Sequence, residues 1–283
     1  MLYNIYSKKK HETVNTLFSF EEEDSMASVT QRITEVKQPR GGYIKPSNMQ
    51  VVTFNDNINL WDNETVHASN IGLVVDYLTR YMLGMNIVDA FKISLIGAKC
   101  AEQCGKINST NIAMKLLHNI KGLDYDSICN ACKLVTFDVW YRNRANAILA
   151  KTYMDIVVDN TTAQNIKTMI KRSINFFKTY GPIVEDGFTF EGGYTSTVNS
   201  GDGDFLTSDT LWDFKVSKNK PTSKHTLQLL MYYIMGKHSK KEIFNNISKI
   251  GIFNPRLNIV YIYDMKNISK EIIEDVERNI ICY

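Results

Sequence analysis

The sequence predicts a mixed α/β protein, with a central mixed sheet flanked by helices and a helical region ahead of it. Three observations predict it. Apolar residues recur at three- and four-residue steps between 70 and 180. From 183 onward, short β-branched and aromatic runs take over, separated by Gly, Asn, Ser and Asp. Two more helical stretches fall between and after those runs. The chain has 283 residues, enough for one or two domains. Charged residues make up 22% and hydrophobic residues 44%, which excludes wholesale disorder and collagen-like repetition. The net charge of +3 does not demand a nucleic-acid partner, but a local basic groove is compatible with a nearly neutral protein.

Residues 1–69 are polar and weakly periodic, and read as an N-terminal arm of short elements. Acidic Glu21–Asp24 precedes basic residues around Lys37–Arg40, and Gln38-Pro39-Arg40-Gly41-Gly42 reads as a turn. Residues 70–182 read as a helical region. Ile71, Val74, Val75, Leu78 and Met82 mark one helix, with Ser69 and Asn70 as caps and Gly84 as its stop. Further helices fit 86–104, 109–120, 126–151 and 161–179, and Gly181-Pro182 ends the series. Residues 183–283 read as the α/β core. Strands fit Phe188–Phe190, Tyr194–Val198, Asp204–Leu206 and Leu211–Val216. A helix over Thr222–Met235 follows, then strands Ile247–Phe253 and Leu257–Tyr263 about an Asn254-Pro255 turn, then a helix over Ile268–Ile280. The segment Met1–Glu12 lacks an apolar core followed by a small-residue cleavage site, and no run of about 18 apolar residues occurs. A cytoplasmic protein is expected.

Asp213 and Lys215 are two apart in a predicted strand, so they share a face while Phe214 takes the other. A hairpin through Thr207–Thr210 would bring Asp204 beside Asp213. Two adjacent carboxylates repel, and a divalent cation removes the conflict. Hard oxygen ligands suit Mg²⁺ or Mn²⁺. Such an ion acidifies a bound water and neutralises charge on a phosphoryl oxygen. Lys215 would then orient the attacking water, deprotonate it, or stabilise the phosphorane.

Asp204…Asp213-Phe214-Lys215 resembles the PD-(D/E)XK nuclease superfamily. Gly201-x-x-Asp204 and Gln228-x-x-x-Tyr232 resemble its RecB-like branch, which includes RecB- and AddB-type nuclease domains. The resemblance implies a restriction-endonuclease-like core carrying a helical insertion. It implies Mg²⁺- or Mn²⁺-dependent cleavage of DNA, as an exonuclease on single strands or exposed ends. Gln228 and Tyr232, one helical turn apart, would face the substrate. The branch also carries an upstream Gly-x-x-x-His helix whose His binds metal. Here Gly72-Leu73-Val74-Val75-Asp76 stands in that place, with Asp for His. By that resemblance Asp204, Asp213, Asp76 and the Phe214 carbonyl hold the metal, and Arg80 approaches phosphate.

Lys218, Lys220, Lys224, Lys237, Lys240 and Lys241 follow the motif with no acidic residue from 216 to 241, and Tyr232 and Tyr233 are interleaved. They read either as a backbone-tracking groove with a stacking platform or as a solvated lysine face. Lys167, Lys171 and Arg172 are weaker candidates for the same groove. His118 and His225 are lone histidines, more in keeping with surface or cap positions than with a site. No Walker-type Gly-x₄-Gly-Lys-Ser/Thr is present, so any motor is a partner such as a helicase.

Cys100-x₃-Cys104 and Cys129-x₂-Cys132 each lie on one helical face. Facing helices would bring the four into a tetrahedral Zn²⁺ set, although reduced thiols buried in a helical core are the commoner arrangement. The rival to a nuclease is a catalytically inactive nuclease-fold module that binds nucleic acid or a protein partner.

Overall fold

The computed structural model describes residues 27–283, so Glu21–Asp24 and the segment before it lie outside the described residues. Strand β1 (Ala27–Ser28) leads into helix α1 (Val29–Glu35), started by a capping box in which Ser28 Oγ accepts from Gln31 N. Gly41 and Gly42 both take positive φ, 91° and 93°, and make the predicted turn. Strand β2 (Gln50–Thr53) follows.

The helical region comprises α2 (Ala68–Met82), α3 (Ile87–Ala90), α4 (Lys92–Gln103), α5 (Ser109–His118), α6 (Tyr125–Leu134), α7 (Asp138–Arg142), α8 (Arg144–Ala147) and α9 (Asn160–Tyr180). The α2 stripe of Ile71, Val74, Val75 and Leu78 is fully buried, as its periodicity predicts, although the N-cap is His67 rather than Ser69 or Asn70. The helix expected over 126–151 is broken. Gly97 of α4 has no Cβ to keep the Phe137 carbonyl away, and the chain bends there through a 3₁₀ turn at Val135–Phe137. Asn143 then turns its side chain back to Asn146 N, which starts α8 instead of continuing α7.

The core adds β3 (Glu185–Phe188), β4 (Val198–Ser200), β5 (Gly203–Leu206), β6 (Thr210–Phe214), α10 (Ser223–His238), β7 (Lys249–Asn254), β8 (Ile259–Asp264) and α11 (Lys270–Asp275). Thr222 caps α10 and Ser269 caps α11, which passes into a π-helical turn, Val276–Ile281. One six-stranded sheet runs β2-β8-β7-β6-β5-β3. Within it only β6 and β7 are parallel neighbours, and α10 makes the crossover between them, while β1 and β4 pair parallel in a separate two-stranded sheet. The expected mixed sheet flanked by helices is therefore present.

Two faces follow from period-two alternation. Leu206, Leu211, Ile250 and Ile252 pack beneath α10. Phe205, Trp212, Phe253 and Val260 pack against Phe176 and Phe177 of α9. Phe176 stacks on Phe253 with ring centroids 4.4 Å apart and meets Trp212 edge-on at 4.8 Å. Each such buried ring contributes about 1.5–3 kcal/mol. Residues 50–53, in the polar arm, supply an edge strand: Gln50 to Thr53 pair antiparallel with Ile262 to Ile259. Among the described residues no helix is long and apolar enough to cross a membrane.

Candidate active site

The β5–β6 hairpin sets the site. Its ladder pairs Phe205 with Trp212 and Leu206 with Leu211, so the next pair is Asp204 with Asp213. Both carboxylates point to the α10 face. Glycine at 203 allows this, because a Cβ there would stand 2.1 Å from Phe188 Cζ; Phe188 lies flat where β5 begins. Asp204 Oδ2 accepts from Phe214 N at 2.7 Å. Asp213 is buried, and its Oδ1 lies 2.9 Å from Lys215 Nζ. Asp213 Oδ2 has no hydrogen-bond partner. The strand ends at Phe214, one turn of the pleat earlier than predicted, yet Lys215 N still bonds Phe253 O at 3.0 Å and keeps its side chain on the acidic face.

Helix α2 forms the opposite wall. Gly72 and Asp76 line a cleft of about 340 Å³ together with Asp204, Phe214 and Lys215. The upstream Gly-x-x-x-Asp helix and the hairpin thus meet. Asp204 feels that crowding. Burial pushes its carboxyl up to about 7, the negative charges of Asp213 and Asp76 add to the rise, and Lys215 opposes it.

Arg80 does not face the cleft. Its Nε bonds Asp76 Oδ1 at 2.8 Å, its Nη1 pairs with Asp186, and its guanidinium lies 4.5 Å above the Phe205 ring. It orients Asp76 and braces β3, and it is not among the residues that line the cleft.

Helix α10 covers the acidic face. Gln228 Nε2 donates to Tyr232 Oη at 3.1 Å. The Tyr232 hydroxyl is held protonated, chiefly by burial, while the charges of Asp213 and Asp204 reach it and act in the same direction. His225 lies on this same face, three residues before Gln228 and seven before Tyr232. Its Nδ1 accepts from Thr222 N at 3.0 Å. Burial and then the Lys215 charge hold its pKa below the usual histidine range, with Asp213 opposing. It is the N3 partner of the Thr222 capping box, in keeping with the expected cap position, and its side chain is half-buried.

The lysine cluster divides. Lys218, Lys220 and Lys224 are exposed around the start of α10, near Lys215, and Lys218 Nζ also donates to Asp62 O. Lys237 is 13 residues along the helix, about 20 Å away. It donates to Phe244 O and Asn245 O, while Lys241 pairs with Glu185, so these two are tied into the fold and Lys240 stays exposed. Arg172 is buried against Asp56 and three backbone carbonyls and is not in a groove.

Among the described residues no group of three or more His, Cys, Asp or Glu side chains converges to hold a metal ion. The four cysteines differ in burial. Cys132 is fully buried in the helical core, Cys104 is exposed at the end of α4, and Cys100 and Cys129 are half-buried. They do not assemble the Cys₄ set. Among the aspartates, Asp213 pairs with Lys215 and Asp76 with Arg80. No protein-family model, no curated protein and no solved structure matches this chain.

Proposed function

We propose that this chain is a metal-dependent nuclease that hydrolyses DNA phosphodiester bonds, similar to RecB-like PD-(D/E)XK enzymes. One observation carries the reading: Asp204 opposes Asp213 across the β5–β6 ladder, with Lys215 Nζ 2.9 Å from Asp213, at a cleft whose far wall is Gly72 and Asp76.

The residues fit a hard divalent cation. A buried carboxylate oxygen without a partner, Asp213 Oδ2, and a carboxyl pushed up to about 7, Asp204, are both relieved by positive charge between them. Asp204, Asp213 and the Phe214 carbonyl would hold Mg²⁺ or Mn²⁺, and Asp76, which is bonded to Arg80, would have to turn toward them to join. The bound ion supplies charge neutralisation and an acidified water.

The chain's own groups do the rest. Lys215 stays cationic beside Asp213, since the charges of Asp213 and Asp204 hold its pKa up against the effect of burial. It is therefore a donor that orients water or stabilises the phosphorane, rather than a free base. Gln228, half-buried, offers its amide to the bound strand, and Tyr232, which is buried and does not face the substrate as expected, accepts from that amide and positions it. Lys218, Lys220 and Lys224 hold its backbone.

A second reading, a nuclease-fold module that binds without cleaving, is favoured by the present pairing of Asp213 and Asp76 with the chain's own cations. A fluorescent oligonucleotide, linear or closed-circular, incubated with Mn²⁺ or with EDTA decides between them. Mn²⁺-dependent cleavage abolished by Asp213→Ala supports the nuclease. Binding without cleavage in Mg²⁺, Mn²⁺ and Co²⁺ supports the module.

A further inference from the structure

A second cavity adjoins the cleft. It measures about 470 Å³ and shares Ser69 and Leu73 of α2 with the cleft as common walls. The two lie on either side of the first turn of α2, a rise of about 5 Å. The far side of this cavity comes from the inserted helices: Val139 and Arg142 of α7, then Lys151 and Ile156 beyond α8.

Its wall is rigid where it is charged. Asp138 is buried and takes Ser94 Oγ at 2.5 Å and Tyr77 Oη at 2.6 Å. Burial raises its pKa, and these two donors and Arg142 oppose the rise. Arg142 Nη2 bonds the Tyr77 hydroxyl at 3.1 Å, and Arg142 Nε stands 3.5 Å from Asp138. One edge of the guanidinium is thereby fixed to α2, while the side chain remains 49% exposed. The cavity's other carboxylate, Asp155, is turned onto Thr152 N and Thr152 Oγ1 at 2.8 Å. Both acids are thus satisfied within the protein. Lys151 is exposed and makes no close ion pair among the described residues, although its charge reaches Asp155. Leu73, Val139 and Ile156 supply apolar surface between these groups.

A cavity of this size suits a small organic group, on the scale of a nucleotide or two. It is far too small for a duplex. A flexible backbone can cross one helical turn from the cleft to reach it. We infer that this cavity binds the single strand flanking the phosphate held in the cleft, with Lys151 and Arg142 on its backbone and the apolar wall against its bases. The inference rests on the nuclease reading for what occupies the cleft, and it narrows the substrate class to single-stranded DNA. It also gives the helical region a role in holding substrate.

Fluorescence anisotropy in EDTA tests it without cleavage. The probes are an oligothymidylate of about 12 nucleotides and a blunt duplex of the same length. Lys151→Glu should weaken single-strand binding about tenfold and reduce the salt slope by about one or more, and Lys151→Arg should restore it. Lys270→Glu, on the remote and exposed α11, should change it less than about twofold. Single-strand affinity indifferent to Lys151→Glu, or an equal loss in Lys270→Glu, overturns the inference. So does a duplex that binds as tightly and with the same dependence on Lys151. If Lys151-dependent binding holds but no metal supports cleavage, the nuclease reading falls and the strand site stands. Cleavage with Lys151-independent binding gives the reverse.

Discussion

Lys215 Nζ lies 2.9 Å from Asp213 Oδ1, while the second oxygen of the same carboxylate is buried with no hydrogen-bond partner. One side chain thus carries both the site's counter-charge and its unsatisfied lone pairs. Asp213→Asn keeps the shape and removes the charge. It leaves Lys215 without its partner, at a stability cost of about 1–3 kcal/mol. If Asp213 is a metal ligand, cleavage should fall by about a thousandfold or more, well beyond what that loss of stability explains. Cleavage and thermal unfolding measured on one preparation separate the effects. Wild-type turnover in a folded Asp213→Asn protein sinks the site.

Two glycines around the site make opposite predictions. A Cβ at Gly203 meets the Phe188 ring between 2.1 and 2.8 Å, and Phe188 is fully buried and packed edge-on against Phe190 and Phe244. Gly203→Ala should cost about 1–3 kcal/mol and, by displacing β5, disturb Asp204 as well. A Cβ at Gly72 meets only Val216 Cβ, at 3.9 Å, an ordinary contact. Gly72→Ala lies inside α2 and should leave the fold intact or stabilise it by up to about 1 kcal/mol. Its methyl would enter the cleft, so the effect should appear as a raised KM. Equal melting temperatures for Gly203→Ala and the wild type would contradict the packing of β5 on Phe188.

The sequence revealed those parts of the fold that rest on local periodicity. The buried stripe of α2, the Asp204/Asp213 hairpin and the Gln228–Tyr232 face are all fixed by repeats of 3.6 or 2 residues within one element or across one short turn. What it hid depends on partners remote in the chain. Gln50–Thr53 is a four-residue stretch in a polar arm and becomes a strand only because Ile259–Ile262 offers it an edge. The break at Val135–Phe137 answers to Gly97, some forty residues earlier. The lysines from 215 to 241 look continuous in sequence, but a helix separates its ends in space, and Lys241 and Lys237 are absorbed by Glu185 and backbone carbonyls. Arg142 and Lys151 carry no motif at all. Arg142 reaches the α2 wall through the Tyr77 hydroxyl, and Lys151 follows in the chain beyond α8.

The cysteines should behave as separate thiols. Burial pushes Cys132 up to about 12, and the charge of Cys129 adds to this, whereas Cys104 and Cys282 are exposed. Reaction with a chromogenic disulfide reagent should therefore begin at Cys104 and Cys282 and reach Cys132 only on unfolding. A zinc chelator should leave the melting temperature unchanged. One equivalent of tightly held zinc, whose removal unfolds the helical region, would contradict the placement of Cys104 at the surface and Cys132 in the core.

Asp56 supplies a test of how the arm is held. Its carboxylate takes Arg172 Nε at 2.7 Å and Nη2 at 2.9 Å, and Arg172 also donates to the carbonyls of Ile58, Pro255 and Arg256. This arginine therefore joins the segment after β2, helix α9 and the β7–β8 turn. Its hydrogen bonds hold the Asp56 carboxyl below the usual range of 3.8, against an opposing effect of burial. A carboxyl depressed in the folded state contributes stability that is present above its unfolded pKa and is lost as the pH falls through its folded pKa. Asp56→Asn should accordingly melt at a lower temperature than the wild type near neutral pH. The gap should narrow as the pH is taken from about 5 to about 2, because only the wild type loses a charge. Thermal unfolding of both proteins across that range measures it. A gap that stays constant with pH would mean that the Asp56 charge does not hold the arm in place.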